Sequence, residues 1–420
     1  MDASRVIADL KELRARTATD LGAQRVAWTQ PWREARNWLR ESMAGVPVTE
    51  HVDEAGNLWL TLQGRSDDVI VLGSHLDSVP GGGWLDGALG VMAGAEALRA
   101  LAGRGRELPV SVSVVDWADE EGARFGRSCF GSAAVSGSLE LENVRALKDR
   151  AGNSLPEVIS GEGVSLDNIL DAGAVVARIR AYAELHIEQG PVLEAEGLRL
   201  AAVTGTMGVE RHRIVLIGQN AHAGATPIHL RRDTTLAAAR MGLRFREIAL
   251  ARGVLSTVGG FVVSPGVATV VNGRTEFTID CRNLDADRLV AAVAEMLDAA
   301  GEIATDEGVE LSTEVIWQIP PMPFHPDLVD AAEAIVGVLT GEPKRMPSGP
   351  LHDAAEMARI GIPTIMFFTP SINGLSHTHI EDTAEADLAL GIEAFGRMVD
   401  HLLDWVSTGG APTSGDESSG

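Results

Sequence analysis

VIVLGSHLDSVPGGGWLDGALG, from Val69 to Gly90, decides how this chain is read. The apolar run Val69 to His75 ends at a polar residue, as strands buried in a parallel sheet do. A glycine-rich turn follows, and Gly90 to Leu101 (GVMAGAEALRAL) reads as a helix. Val110 to Gly122 (VSVSVVDWADEEG) is a second buried strand that runs into acidic residues. Strand, helix, strand with short connections predicts a right-handed βαβ unit in a doubly wound α/β sheet. Ligands in such sheets sit at the carboxyl ends of the strands. His75, Asp86, Glu120 and Glu121 all follow strand ends, so one rule of the fold gathers them on one side.

Later segments repeat the design. His186 lies in ELHIEQG, and His377 lies in NGLSHTHIED, the loop after the strand PTIMFFTP. Histidines, a bridging aspartate and a glutamate can hold two divalent ions about 3.5–4 Å apart and lower the pKa of a water from about 15.7 towards 7. In the pair Glu120-Glu121, one side chain is expected to face the metal and the other the water, because neighbours on an extended chain point opposite ways. Gly81 to Gly83 and Gly87 let the backbone turn tightly beside the ions. Asp77, two residues past His75, is placed to accept the proton on that ring's second nitrogen. Any one of these histidines alone would read as an ordinary polar turn residue; together, at matching strand ends, they do not.

The middle of the chain changes character. Val209 to Gln219 alternates like a half-exposed strand, and Arg231 to Arg252 is helical. LSTVGGFVVS, GVATVV and RTEFTIDCR read as three strands, Asp285 to Ala304 as a helix, and VELSTEVIW as a closing strand. With one extra strand between the helices, this order matches the β-α-β-β-α-β pattern of the split βαβ, ferredoxin-like motif. An α+β domain, residues 207–317, is therefore expected inside a discontinuous α/β domain, residues 1–206 and 318–407. The Ser/Gly-rich tail, 408–420, is expected to be disordered.

The 420 residues carry a net charge of −24, with 59 acidic against 35 basic side chains. Such a surface repels phosphate backbones and argues against a nucleic-acid partner. The two cysteines, Cys129 and Cys281, form no CxxC pair and read as reduced thiols. The N-terminus is charged throughout, reads as an amphipathic helix and has no apolar leader, and no stretch is apolar enough to span a bilayer. These features predict a cytoplasmic protein without a membrane partner.

GSHLDSVPGGGWLDGALGV, DEEGARFG, ELHIEQGPVLE, AHAGATP, FTIDCR and SGPLHDA together resemble the dinuclear metallo-amidases of the N-carbamoyl-L-amino-acid hydrolase and allantoate amidohydrolase family, within the M20 metallopeptidase group. The resemblance runs from the N-terminal helix to the last helix. It implies a zinc-peptidase-like catalytic domain and an inserted domain that acts as lid and as the contact of a homodimer. His75, Asp86 and His186 would bind one ion, and Asp86, Glu121 and His377 the other, with Asp86 bridging. The cofactors would be two divalent ions per subunit, Zn²⁺ first, with Mn²⁺, Co²⁺ or Ni²⁺ also suited to such donors. Glu120 would be the general base and then the proton donor. Gln189 would contact the amide or ureido group. His222 would stabilise the oxyanion in the partner subunit's site. Arg282 would bind a substrate carboxylate, where a guanidinium fork fits.

Two departures from the family pattern concern the substrate. Thr269 stands where the family has asparagine, and after Gly349 the chain reads Pro350-Leu351 where the family has Ala-Gly. Both positions lie near the substrate carboxylate in the family. His379 is read as a bystander, and His352-Asp353 as the start of a helix. The expected reaction is hydrolysis of a small linear amide or ureide bearing a carboxylate. An N-carbamoyl-L-amino acid would give the amino acid, ammonia and carbon dioxide. The alternatives are allantoate as substrate, an aminoacylase or dipeptidase of the wider group, and a metal-free binding protein on the same fold.

Overall fold

Four apolar runs form the centre of a large mixed sheet in a computed structural model that describes residues 1–410. They are β1 (Ser66–His75), β2 (Val110–Trp117), β3 (Ile179–Ile187) and β4 (Thr364–Thr369). β1 pairs in parallel with β2 and β3, and β3 with β4. Every residue of β2 and β4 is buried, because a central strand has cover on both faces. Antiparallel strands flank this centre: Leu58–Leu62 against β2, then Val48–Val52, and Ala201–Thr206 against β4. The helix Ala88–Gly103 joins β1 to β2, as the βαβ reading expects.

Parallel pairing brings four strand ends to one edge. His75 is opposite Trp117, and His186 is opposite Phe368. Asp116 ties two of those ends together. Its Oδ1 accepts the Leu76 N–H at 2.6 Å, and its Oδ2 meets Arg36 Nε, from the helix Gln30–Ser42, at 2.6 Å. The pair is buried, so removing one partner would cost about 3–5 kcal/mol.

The chain divides into two compact units: Met1–Thr204 with the stretch from Phe324 onward, and Gly205–Pro323. In the second unit a four-stranded antiparallel sheet runs in the order Leu255–Ser264, Arg274–Asn283, Gly208–Ile217, Glu310–Ile319. The helices Thr234–Arg252 and Ala286–Asp306 join its strands. They share one core with it: Phe245 and Met296 pack with Ile214, Phe277 and Ile279. One covered face explains the alternation along Gly208–Ile217.

Three expectations change. The helix expected from Arg231 starts at Thr234, because the Asp233 carboxylate accepts the N–H groups of Thr235 and Leu236. GVATVV is not a third sheet strand. Only Val270–Val271 pairs, and it pairs with Ala221–His222, since turns at Pro265-Gly266 and Asn272-Gly273 isolate it. Of the tail, Thr408 to Gly410 cap the last helix through bonds to the carbonyls of Asp404, Val406 and Trp405; residues 411–420 lie outside the described residues. Among the described residues no helix is long and apolar enough to cross a membrane.

Candidate active site and metal centre

The four strand ends build one cluster. His75 is the last residue of β1, and His186 is next to last in β3. Asp86 sits in the turn before the helix Ala88–Gly103, whose N-cap is Gly87 at φ 65°. A Cβ at Gly87 would lie 2.4 Å from the His75 ring, so only glycine fits there. Glu120 and Glu121 follow β2 after a break in which Asp119 takes a left-handed φ of 56°. The two glutamates diverge because the chain bends there, not because they alternate on a strand. His377, itself at φ 56°, lies in the exposed loop beyond β4.

Asp86 is the hub. Its Oδ1 lies 3.3 Å from His186 Nε2 and 3.8 Å from His75 Nε2. Its Oδ2 lies 3.3 Å from His377 Nε2, which is also 3.3 Å from Glu121 Oε2. His75-Asp86-His186 and Asp86-Glu121-His377 each bring their donor atoms within 4.8 Å of one another, so each group could hold a metal ion, and they share Asp86. A further grouping, Glu184-His186-His352, reuses His186. There Glu184 is already engaged by the hydroxyls of Ser74 and Tyr182.

Ring tautomers follow from the other nitrogens. His75 Nδ1 is 3.0 Å from the Asp77 carbonyl, and His186 Nδ1 is 2.9 Å from the Ile187 carbonyl. A carbonyl only accepts, so both rings keep a proton on Nδ1 and turn Nε2 into the cluster, the nitrogen that a metal ion would take. Asp77 thus accepts the proton on the second nitrogen of His75, as expected, and does so through its main-chain carbonyl. The carboxylate is 3.7 Å from that ring and instead accepts the N–H groups of Glu120 and Glu121 at 3.2 and 3.1 Å.

Burial and like charge dominate the electrostatics. Burial pushes Glu120 and Glu121 well above the usual carboxylate range, and neighbouring acids add to it. Burial also raises Asp77, to about 6. Burial acts the same way on Asp86, but bonding to His186 and His377 overrides it and holds that carboxyl well below its ordinary value. Closely packed acids and imidazoles of this kind are the donor set that divalent cations satisfy.

A cavity of about 440 Å³ opens on this cluster. His75, Asp86, Glu120, Glu121, His186, Gln189 and His377 line it, with Pro350, Leu351 and Leu375 as its apolar part. Gln189 Nε2 donates to Asp86 Oδ2 at 2.9 Å. Gly349 follows the strand Arg345–Ser348, just ahead of Pro350. A larger groove of about 740 Å³ near the N-terminal helix holds none of these donors, and its charges are paired, Arg99 with Asp9 and Arg16 with Glu12.

The remaining candidates belong to the second unit. His222 and Thr269 are brought together: His222 is opposite Val270, and the Ala223 N–H donates to the Thr269 carbonyl at 2.9 Å. His222 Nδ1 accepts the Gly224 N–H at 3.1 Å, so Nε2 carries the ring proton. Arg282, on Arg274–Asn283, donates to Asp280 at 2.8 Å.

Several residues of the cluster escaped the sequence reading. Glu381 accepts the N–H groups of Leu85 and Asp86, both at 3.1 Å, and so holds the Asp86 turn. A Cβ at Gly83 would overlap that Glu381 side chain. The Cys129 thiol faces Glu120 Oε1 at 3.7 Å. His352 does cap a helix, Asp353–Arg359, but it also lines the cavity, 4.5 Å ring to ring from His186. A histidine and an aspartate before a helix gave the only hint of it.

The sequence profile of the peptidase family M20/M25/M40 matches residues 71–401. Over 384 residues the chain is 36% identical to an N-carbamoyl-L-amino acid amidohydrolase of Geobacillus stearothermophilus, covering 90% of this chain and 93% of that one. It is 33% identical over 390 residues to an allantoate amidohydrolase of Escherichia coli (strain K12), covering 91% and 93%. A crystal structure of an amidase of the hydantoinase/carbamoylase family from Burkholderia multivorans matches with a TM-score of 0.87 at 34% identity, over 94% of this chain and 97% of that one.

Proposed function

We propose that this chain, which belongs to peptidase family M20/M25/M40, is a dinuclear metal-dependent amidohydrolase of linear amides and that its substrate is an N-carbamoyl-L-amino acid. The observation behind this reading is the shared carboxylate: Asp86 offers one oxygen to His75 and His186 and the other to His377, beside Glu121. Those residues would hold the two ions, Zn²⁺ first by donor type. When bound, such ions polarise a water and the scissile carbonyl.

The rest of the chemistry falls to the protein. Glu120, buried beside His75 with Oε2 3.6 Å from Nε2, takes the proton of the attacking water. As the carbamoyl carbon–nitrogen bond breaks, Glu120 returns the proton to the leaving amine. The carbamate then falls to ammonia and carbon dioxide. Gln189 orients the ureido group, and His222 hydrogen-bonds through its Nε2–H to the oxyanion in the partner subunit's site. Arg282 and the chain around Thr269 and Gly349 receive the substrate carboxylate.

The reading includes a homodimer formed through the inserted unit. In support, the strand Leu255–Ser264 is at the edge of its sheet, and Leu236, Leu243 and Leu250 are 47%, 67% and 75% exposed at seven-residue intervals along one helix. A cytoplasmic setting fits two buried cysteines that form no disulfide.

Ammonia release by metal-loaded protein from N-carbamoyl-L-amino acids and allantoate, beside amino-acid release from dipeptides, tests the substrate. Turnover of the carbamoyl compounds is expected. Turnover of allantoate alone, or of dipeptides alone, would replace the substrate; protein that takes up no metal and turns over nothing would be a binding protein on this fold.

A further inference from the structure

A charged side chain that the reaction does not use lies beneath the cluster. Arg25 is 0% exposed. Its Nε donates to the Leu76 carbonyl at 2.7 Å, its backbone N–H donates to Ser78 Oγ at 3.1 Å, and its carbonyl accepts the Ser78 N–H at 3.1 Å. The residue is thus pinned along the stretch that follows His75. Among the described residues, neither terminal nitrogen, Nη1 or Nη2, has an acceptor. Arginine does not shed its proton in such a place, so a full positive charge resides in the interior.

Burial holds the guanidinium below its ordinary value, and four carboxylates act against that burial: Glu381 first, then Asp77, Asp86 and Glu121. Each has a place in the site already described. Asp86 and Glu121 are assigned to the ions, Glu381 holds the Asp86 turn, and Asp77 holds the backbone of Glu120 and Glu121. Arg25 therefore shares its acids with the ions. It attracts them whether or not the ions are bound, but it repels a dication only when one is there.

We propose that Arg25 is a positioning residue whose charge assembles the carboxylate wall in the metal-free protein and tempers the affinity of that wall for divalent ions. By linkage, removing the charge destabilises the metal-free protein and tightens metal binding. The proposal rests on Asp86 and Glu121 being metal ligands.

The test compares wild type with Arg25→Met, which keeps an apolar stem, and Arg25→Lys, which keeps the charge. Zinc affinity is read by competition with a chromophoric chelator, and the melting temperature is read with excess chelator and with excess zinc. Arg25→Met is expected to bind zinc about tenfold more tightly, an ordinary size for coupling between sites. Its melting temperature should fall further with chelator than with zinc, and Arg25→Lys should keep the wild-type affinity. Unchanged or weaker binding by Arg25→Met overturns the role, as does an equal loss of melting temperature in both conditions. So does tightening in Arg25→Lys, or an Arg25→Met chain that cannot fold even in excess zinc. Wild-type protein that binds no zinc would instead refute the ligand assignment.

Discussion

Asp77 Oδ1 accepts the backbone N–H of Glu120 at 3.2 Å, while Oδ2 accepts that of Glu121 at 3.1 Å. One buried carboxylate therefore sets where the base and a ligand stand. Asp77→Ala leaves two buried N–H groups unmet, which costs about 1–3 kcal/mol each. It should also lower kcat by about a hundredfold, because a small misplacement of reacting groups is that expensive. The ion assigned to His75, Asp86 and His186 should stay, since His75 keeps its main-chain contact, while the ion assigned to Glu121 should be held more weakly. Kinetics beside metal analysis check this; unchanged kcat would mean that the Asp77 contacts do not set the position of Glu120.

Glu120→Gln keeps the shape of the side chain and removes its proton affinity. The variant should fold and bind metal as wild type does, with kcat lower by about 10²–10⁴-fold. Residual turnover near the wild-type rate would assign the base elsewhere.

Metal loading should release protons. Bonding to Asp86 and the pull of Glu121 raise His377 to about 9. At His186 burial pulls the other way, but Asp86 prevails and the ring again reaches about 9. Both rings are therefore charged at pH 7 in the metal-free protein, and an ion must displace those protons from Nε2. About two protons should leave per chain from the rings alone, and affinity should climb with pH until both rings are neutral above their raised values. Calorimetric titration in buffers of different ionisation enthalpy counts them. Affinity independent of pH between 6 and about 9 would contradict the assigned ligands.

Leu351 gives the cavity part of its apolar surface. N-carbamoyl amino acids with apolar side chains should be preferred over N-carbamoylglycine. Leu351→Gly should lower kcat/KM for the apolar substrates roughly tenfold, the usual worth of a few methylenes in a pocket. An equal change across all substrates would remove Leu351 from specificity.

The metal-capable residues were legible in the sequence because parallel strands deliver whatever follows their carboxyl ends to one edge, and His75, Asp86, Glu120, Glu121 and His186 obey that rule. His377 needed the family resemblance as well, since its neighbour His379 has the same chemistry and only loop geometry separates them. The split βαβ order was legible from alternation, but GVATVV was not: its apolar residues look like a strand, and flanking turns decide otherwise. The contact of Asp77 with His75 was legible from their spacing, but the hold of its carboxylate on the Glu120 and Glu121 N–H groups was not, because packing beyond the strand end chose where that side chain turns. Arg25 and Glu381 left no local signal. They meet the cluster only through tertiary contacts, which periodicity does not encode.

The account stands most directly on Asp86 as the shared ligand of two ions. Mass-spectrometric metal analysis of zinc-loaded wild type and Asp86→Asn measures it. Two ions per chain in wild type, and loss of both in the folded variant, is the result the account predicts. A wild type that holds fewer than two, or a variant that keeps both, would contradict it.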